Sequence, residues 1–316
     1  FIYKSLSLSE VPVLTSFDLS LGLYFDDPDI DAWFKTVANR SVSELRINSF
    51  SRNFALPSCL SACGTLKTLV LHQVRLLGLQ PSFCLHSLKN LHLLSVEFRG
   101  GESVKTFLNV CPILEVLVVR RGACDNITDF SRFLKLEPMP DLVKANIDTT
   151  FDQPESFMES LTSVRHLSLC CNSNKSLYPS HGTFFLRLEH LELCTCTLTW
   201  CKTLMHLLNH GPRLRVLKLK RFYHLHHYNG YKELDNWWTK PSSVPGCLSS
   251  HLEIFEWRYY QGTEQERKMT KYILANASRL KMATFASNSA EKYQMFKNIN
   301  IASFPIASKA CKLVCF

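Results

Sequence analysis

The stretch Leu188-Glu-His-Leu191-Glu-Leu193-Cys-Thr-Cys196 decides how this chain is read. Its large apolar residues stand at positions 1, 4 and 6, and a small residue suited to burial follows at position 9. That is the strand unit of a leucine-rich repeat. Leu191 and Leu193 alternate with polar neighbours, the period of 2 expected of a strand that buries one face. Any half-buried strand can look like this once; only regular repetition marks a leucine-rich repeat.

The pattern does repeat. Units start at Leu14, Val42, Leu66, Leu88, Leu114, Leu142, Val164, Leu188 and Leu214, separated by 28, 24, 22, 26, 28, 22, 24 and 26 residues. A leucine-rich repeat has a period of roughly 20–29 residues, and unrelated strands would not keep such a spacing. Between strands the chain must return. Ile30, Trp33, Phe34 and Val37 form an apolar stripe at helical spacing, with Asp29 placed to cap it. Two further return helices are expected, over 102–112 and over 200–211, each followed or ended by a proline. At Leu56–Leu60 the return is too short for a full helix. One strand and its return cannot bury an apolar face alone, so neighbours must stack. The expected fold is an α/β leucine-rich-repeat solenoid, curved, with parallel strands on the concave face and helices or turns on the convex face.

After Phe222 the register breaks, through His224-Leu-His226-His227 and Trp237-Trp238 to the Pro/Ser-rich Pro241–Pro245. A boundary near residue 240 follows, dividing 1–240 from 241–316. The strand pattern resumes at Leu252-Glu-Ile-Phe255-Glu-Trp257. Thr263-Glu-Gln-Glu266 reads as a capping box opening a helix to about Ala277, whose buried face is Met269, Tyr272, Ile273 and Ala277. A last unit is expected at Leu280–Phe285, and one more apolar segment near Leu313-Val314.

Composition narrows the function classes. Thirteen cysteines in 316 residues is an odd number in too long a chain for a small disulfide scaffold. Reduced thiols in the cytoplasm or nucleus are the simpler expectation, and the sequons at Asn39, Asn126, Asn174 and Asn276 weigh little against it. No apolar run reaches the roughly 18–20 residues needed to span a bilayer, so no membrane partner is expected. The net charge is +9. The densest basic run is only Lys218-Leu-Lys220-Arg221 and the remaining cations are scattered, which disfavours nucleic acid.

Enzyme signatures are missing from the sequence: there is no P-loop, dinucleotide glycine fingerprint, H-E-x-x-H or G-x-S-x-G. No cofactor and no catalytic residue are assigned. His190, Cys194, Cys196, Cys201, His206 and His210 have a zinc-like spacing. In the repeat, though, Cys196 is expected in the core, His190 and Cys194 on the exposed face, and the other three on the return helix. Such ligands cannot converge on one tetrahedral ion, so no metal is assigned. Cys170 and Cys194 hold equivalent positions in adjacent units, about 5 Å apart on neighbouring strands, and are read as coincidence in a cysteine-rich chain. His224–His227 is read as a polar loop.

The positive expectation is a recognition surface. Positions 3, 5 and 7 of each strand point to solvent, and the central units then present Arg120, Lys144, Asp148, His166, His190, Glu192, Lys218 and Lys220. Asn146 and Ser168 share this face. Mixed polar side chains of this kind can read a partner through hydrogen bonds and charge pairs. Trp237 and Trp238 are a second candidate contact, because aromatic anchors concentrate binding energy.

Several stretches together resemble a plant F-box/FBD/leucine-rich-repeat protein. They are Asp29-Ile-Asp-Ala-Trp33 through Leu45, Leu56-Pro57-Ser-Cys-Leu60 with Cys63-x-Thr65-Leu66, and Cys111-Pro112-x-Leu114-Glu115. The most specific runs from Pro241-Ser-Ser-Val-Pro245-Gly-Cys247-Leu248 through Leu252–Gly262, Glu264-x-Glu266 and Tyr272–Ala277 to Leu280-Lys281, with Cys311-x-Leu313-Val314 at the close. The resemblance implies that 241–316 is an FBD region. It also implies a non-catalytic substrate receptor of a cullin-type ubiquitin ligase, docking a Skp-type adaptor through an F-box. No stretch of the 316 residues stands in for that F-box, which should precede Phe1. This chain is therefore expected to bind a protein target without itself recruiting the ligase. Two other readings stay open: a leucine-rich-repeat scaffold unconnected to ubiquitin, and a small-molecule sensor on the concave face.

Overall fold

The computed structural model describes residues 13–22, 30–49, 54–77, 79–80, 82–98, 107–120, 139–149, 158–171, 183–196, 199–221, 241, 243–286 and 301–315. The chain divides into two compact units, Phe1–Ser160 and Leu161–Phe316, and the 241–316 region lies inside the second. Asp29, His224–His227, Trp237 and Trp238 lie outside the described residues, as do residues 102–106 of the helix expected over 102–112.

The first unit carries strands β1 (Ser16–Leu21), β2 (Glu44–Ser49), β3 (Thr68–His72), β5 (Asn90–Leu94), β7 (Val116–Arg120) and β8 (Lys144–Thr149), each parallel to the next. The second carries β9 (His166–Cys171), β10 (His190–Cys194), β11 (Val216–Lys220), β12 (Ile254–Arg258), β13 (Met282–Ala286) and β14 (Lys312–Cys315), also parallel throughout. Each unit is thus an α/β leucine-rich-repeat stack, as the spacing of the leucines requires. The strands fall where the repeat puts them, beginning two residues after the first apolar position.

The register shows why. Position 4 of one strand sits beside position 4 of the next, giving the row Leu45, Leu69, Leu91, Leu117 and Ala145 in the first unit. Position 6 gives Ile47, Leu71, Leu93, Val119 and Ile147, and all of these are buried. In the second unit the corresponding rows begin with Leu167, Leu191 and Leu217, and with Leu169, Leu193 and Leu219. They then widen to Phe255 and to Trp257 and Phe285. Trp257 meets Phe255, Tyr260 and Trp200 edge to face, at ring separations of 6.1, 5.1 and 5.5 Å. Such rows are in-register apolar ladders: slipping one strand by one residue would bring its whole polar set into the core.

The helices follow their sequence signals. α1 (Ile30–Asn39) buries Trp33, Phe34 and Val37. α2 (Trp200–His210) buries Trp200, Leu204, Leu207 and Leu208 and stops at Gly211, just ahead of Pro212. The short α3 (Gly246–Ser250) tucks in Cys247 and Leu248. α4 (Glu264–Asn276) opens on the capping box: the Glu266 backbone N–H donates to Thr263 Oγ1 at 3.3 Å, and Glu266 Oε2 accepts from the Thr263 and Gln261 N–H groups at 3.1 and 2.9 Å. Its expected face, Met269, Tyr272 and Ile273, is buried, and so is Ala277 at its C-cap.

Two features went beyond the sequence reading. β4 (Arg75–Leu76) and β6 (Glu97–Phe98) form a small parallel sheet on the return side, stapled by an Arg75–Glu97 ion pair at 2.6 Å. Gln73 and Ser95, which precede these strands, both take left-handed φ values, 54°. At each, the chain turns sharply while its N–H bonds to the next repeat, Gln73 to Leu94 O at 2.8 Å and Ser95 to Arg120 O at 2.7 Å.

Candidate recognition surface

The face opposite the leucine ladders is built by positions 3, 5 and 7, which the pleat turns away from the core. In the second unit these positions make three cross-strand rows. The first pairs His166 with His190, then Val216, Ile254 and Met282. The central row is Ser168, Glu192, Lys218, Glu256 and Thr284. The third sets Cys194 beside Lys220 and Lys220 beside Arg258. Of the sequence candidates, His166, His190, Glu192, Lys218 and Lys220 are therefore brought together on this one surface, all half-buried.

Their side chains engage one another. His166 and His190 stack at 4.3 Å between ring centroids, 22° from parallel. Burial first, and then the neighbouring His166 ring, hold His190 below the ordinary imidazole value. Glu192 accepts from Ser168 Oγ at 2.9 Å and is ion-paired with Lys220. Lys218 Nζ lies 3.3 Å from Glu256, which also accepts from Arg258. Burial works against the charge on Glu256, but the hydrogen bonds from Arg258 and Lys218 outweigh it, and its carboxyl sits below the ordinary value. Lys218 and Lys220 of the densest basic run are thus matched by acids across the strands, and Arg221 donates to Gln261 Oε1 at 2.7 Å.

In the first unit, Arg120, Lys144 and Asp148 share the equivalent face. Arg120 is the register partner of Asp148, and both Arg120 and Lys144 are exposed. The central row here is different in kind: Val70, His92 and Val118, with Arg46 at one side and Asn146 at the other. Burial, then the positive charges of Arg46 and Arg120, lower the His92 value; Arg46 is ion-paired with Glu44 at 2.6 Å, while Arg120 and Lys144 stand exposed beside the row.

Sequence reasoning missed Glu44, Arg46, Thr68, Asn90 and His92 on the first face and Glu256 and Arg258 on the second. The same position rule finds all of them once it is applied to every strand rather than to the central ones. The cysteines need a correction. Cys196 was expected in the core and Cys194 on the exposed face, yet Cys194 is 3% exposed and Cys196 is half-buried. Both thiols approach Cys170, so that the three Sγ atoms lie within 4.8 Å of one another. The strand ends at Cys194; beyond it the alternation rule no longer says where a side chain points. Cys201, His206 and His210 lie on the return helix α2, as expected.

Parallel strands that repeat one apolar pattern in register, with mixed polar and apolar side chains on the outer face, define a leucine-rich-repeat protein. The comparisons with known proteins are narrower. The FBD family model matches residues 240–285, and the model for the leucine-rich repeats of FBD-associated F-box protein At5g56370 matches 30–137. The putative FBD-associated F-box protein At5g56560 of Arabidopsis thaliana is 40% identical, over 99% of this chain and 84% of its own length. The F-box/FBD/LRR-repeat proteins At5g56570 and At4g26340 of the same plant are each 36% identical over 99% of this chain, covering 79% and 85% of their own lengths. This chain belongs to the F-box/FBD/LRR-repeat family. No solved structure matches it. Among the described residues no helix is long and apolar enough to cross a membrane.

Proposed function

We propose that this chain is the target-binding part of a substrate receptor for a cullin-type ubiquitin ligase. It works without catalysis, by holding a protein target. The observation that carries this is the 40% identity along 99% of the chain to a protein named as an FBD-associated F-box protein. The architecture agrees, since a leucine-rich-repeat sheet presents a rigid polar face of fixed spacing. Residues 241–316 act as the FBD region that continues the repeat stack. Recruitment of the Skp-type adaptor belongs to an F-box and not to any element described here.

Within this reading the target meets the exposed strand faces, and an acidic segment suits the first unit best. Arg120 and Lys144 stand exposed at the margins of the Val70–His92–Val118 row. Buried reduced thiols such as Cys63, Cys111 and Cys247 suit a reducing intracellular compartment. Burial pushes Cys111 and Cys247 up to about 12, which keeps them protonated and unreactive.

The test is proximity labelling in plant cells under proteasome inhibition, combined with depletion of the protein. A target of the receptor is labelled and lives longer when the receptor is removed. Labelled proteins whose lifetimes never change on depletion would leave a binding scaffold and sink the ligase assignment.

A further inference from the structure

β9 and β10 run in register, with Leu169 opposite Leu193, which sets Cys170 and Cys194 side by side on neighbouring strands. Thr195 then anchors the chain through its N–H to Lys220 O at 2.8 Å. From that anchor Cys196 brings its thiol back to Cys170, at an Sγ–Sγ distance of 3.6 Å. All three sulfurs lie within 4.8 Å of one another, so three thiols from two adjacent repeats point at a common centre.

We propose that Cys170, Cys194 and Cys196 form a binding site for a single thiophilic d10 metal ion, Cu(I) or Zn(II). Sulfurs around one ion at a metal–sulfur distance of about 2.3 Å stand roughly 3.8–4.0 Å apart. The separation of 3.6 Å is already close to this, and the other two lie within 4.8 Å. Soft thiolate donors select these ions over hard cations. Cys170 and Cys194 are buried at 4% and 3% exposure, whereas half-buried Cys196 leaves a way in.

The surroundings suit a charged cluster. Lys220 is the register partner of Cys194 on β11, and its ammonium, paired with Glu192, is the nearest cation in register with the cluster. Thiols bind such ions as thiolates, so each ligand releases its proton to solvent as the ion arrives. Three sulfurs complete a trigonal Cu(I) site; Zn(II) takes water as a fourth ligand beside Cys196.

The full chain, reduced with a phosphine, would be titrated anaerobically with Cu(I) against a competing Cu(I) chelator. A parallel titration uses Zn(II) against a chromophoric chelator. One equivalent of one ion is expected to be retained by the protein, and whichever ion is held tells a three-sulfur site from a three-sulfur-plus-water site. Cys170→Ser and Cys196→Ser should each weaken retention tenfold or more, since removal of a ligand exceeds the 10–100-fold cost of losing an outer-shell partner. Cys315→Ser, remote in sequence and exposed, should bind as the parent does. Circular dichroism confirms that each variant is folded, and Cys196→Ser, altered at a half-buried position, keeps the test valid if Cys170→Ser unfolds. Retention of neither ion, or equal retention by folded Cys196→Ser, overturns the site.

Discussion

The two compact units share one repeat and treat the charge on its outer face in opposite ways. In the second unit the central row alternates Glu192, Lys218 and Glu256, and each acid is engaged by a cation of a neighbouring strand, Lys220 or Lys218. In the first, the central row is Val70, His92 and Val118, and the exposed cations Arg120 and Lys144 stand to its sides. The leucines behind both faces are the same. A polar residue on the outer face is thus not equally available to a partner: one already matched across the strands must be separated from its neighbour before it can bind, at the cost of a half-buried pair. Lys218 and Lys220 of the second unit are bound into its own fold by ion pairs across the strands, whereas Arg120 and Lys144 of the first stand exposed and Arg46 is paired within its own strand, with Glu44.

The largest effects should ignore this difference. Leu117→Ala in β7 and Leu217→Ala in β11 remove fully buried side chains from equivalent ladder positions. Each should lower the stability of its unit by about 2–5 kcal/mol in urea unfolding. A large inequality between the two would mean that the ladders, and not only the faces, differ.

Next comes Glu256. Glu256→Gln leaves Lys218 and Arg258 without their shared acid, and should cost about 0.5–1 kcal/mol, shrinking at high salt. Lys144→Ala on the other face should stay within about 0.5 kcal/mol of the parent. Equal costs would erase the contrast between the faces.

A smaller effect is set by pH. His206 packs against His210 at 4.2 Å, and burial, then the His210 charge, bring it down to about 4. The unfolded imidazole protonates near 6.5, so unfolding takes up a proton between these two values and stability falls as the pH drops through that window. Glu256 acts in the same direction lower down: its depressed carboxyl adds stability that is present above the unfolded value and lost as acid protonates it. His206→Gln should flatten the upper part of the acid decline. A decline that persists unchanged between pH 6.5 and 4 would assign it to other groups.

The strands, the capping box at Thr263–Glu266 and the buried stripes of α1 and α4 were legible because each is a local pattern with its own period. What was not legible depends on contacts between repeats. The Lys220–Glu192 pair is 28 residues apart and the Arg215–Glu253 pair 38; both follow only from the register. β4 and β6, two residues each, are too short to show any period. Of the Cys170–Cys194–Cys196 cluster, the Cys170–Cys194 juxtaposition was legible from the repeat; Cys196 was not, since it lies past the end of β10, where the chain leaves the pleat after the Thr195–Lys220 bond.

The central claim is that the open strand face of the first unit contacts the target. The direct measurement is the affinity of one authenticated target for the parent chain, for Arg120→Ala/Lys144→Ala and for Lys218→Ala, each checked for folding. Loss of about tenfold or more, some 1.4 kcal/mol, is expected for the first variant and a smaller loss for Lys218→Ala. Unchanged affinity in the folded Arg120→Ala/Lys144→Ala protein would contradict the account and move the contact elsewhere.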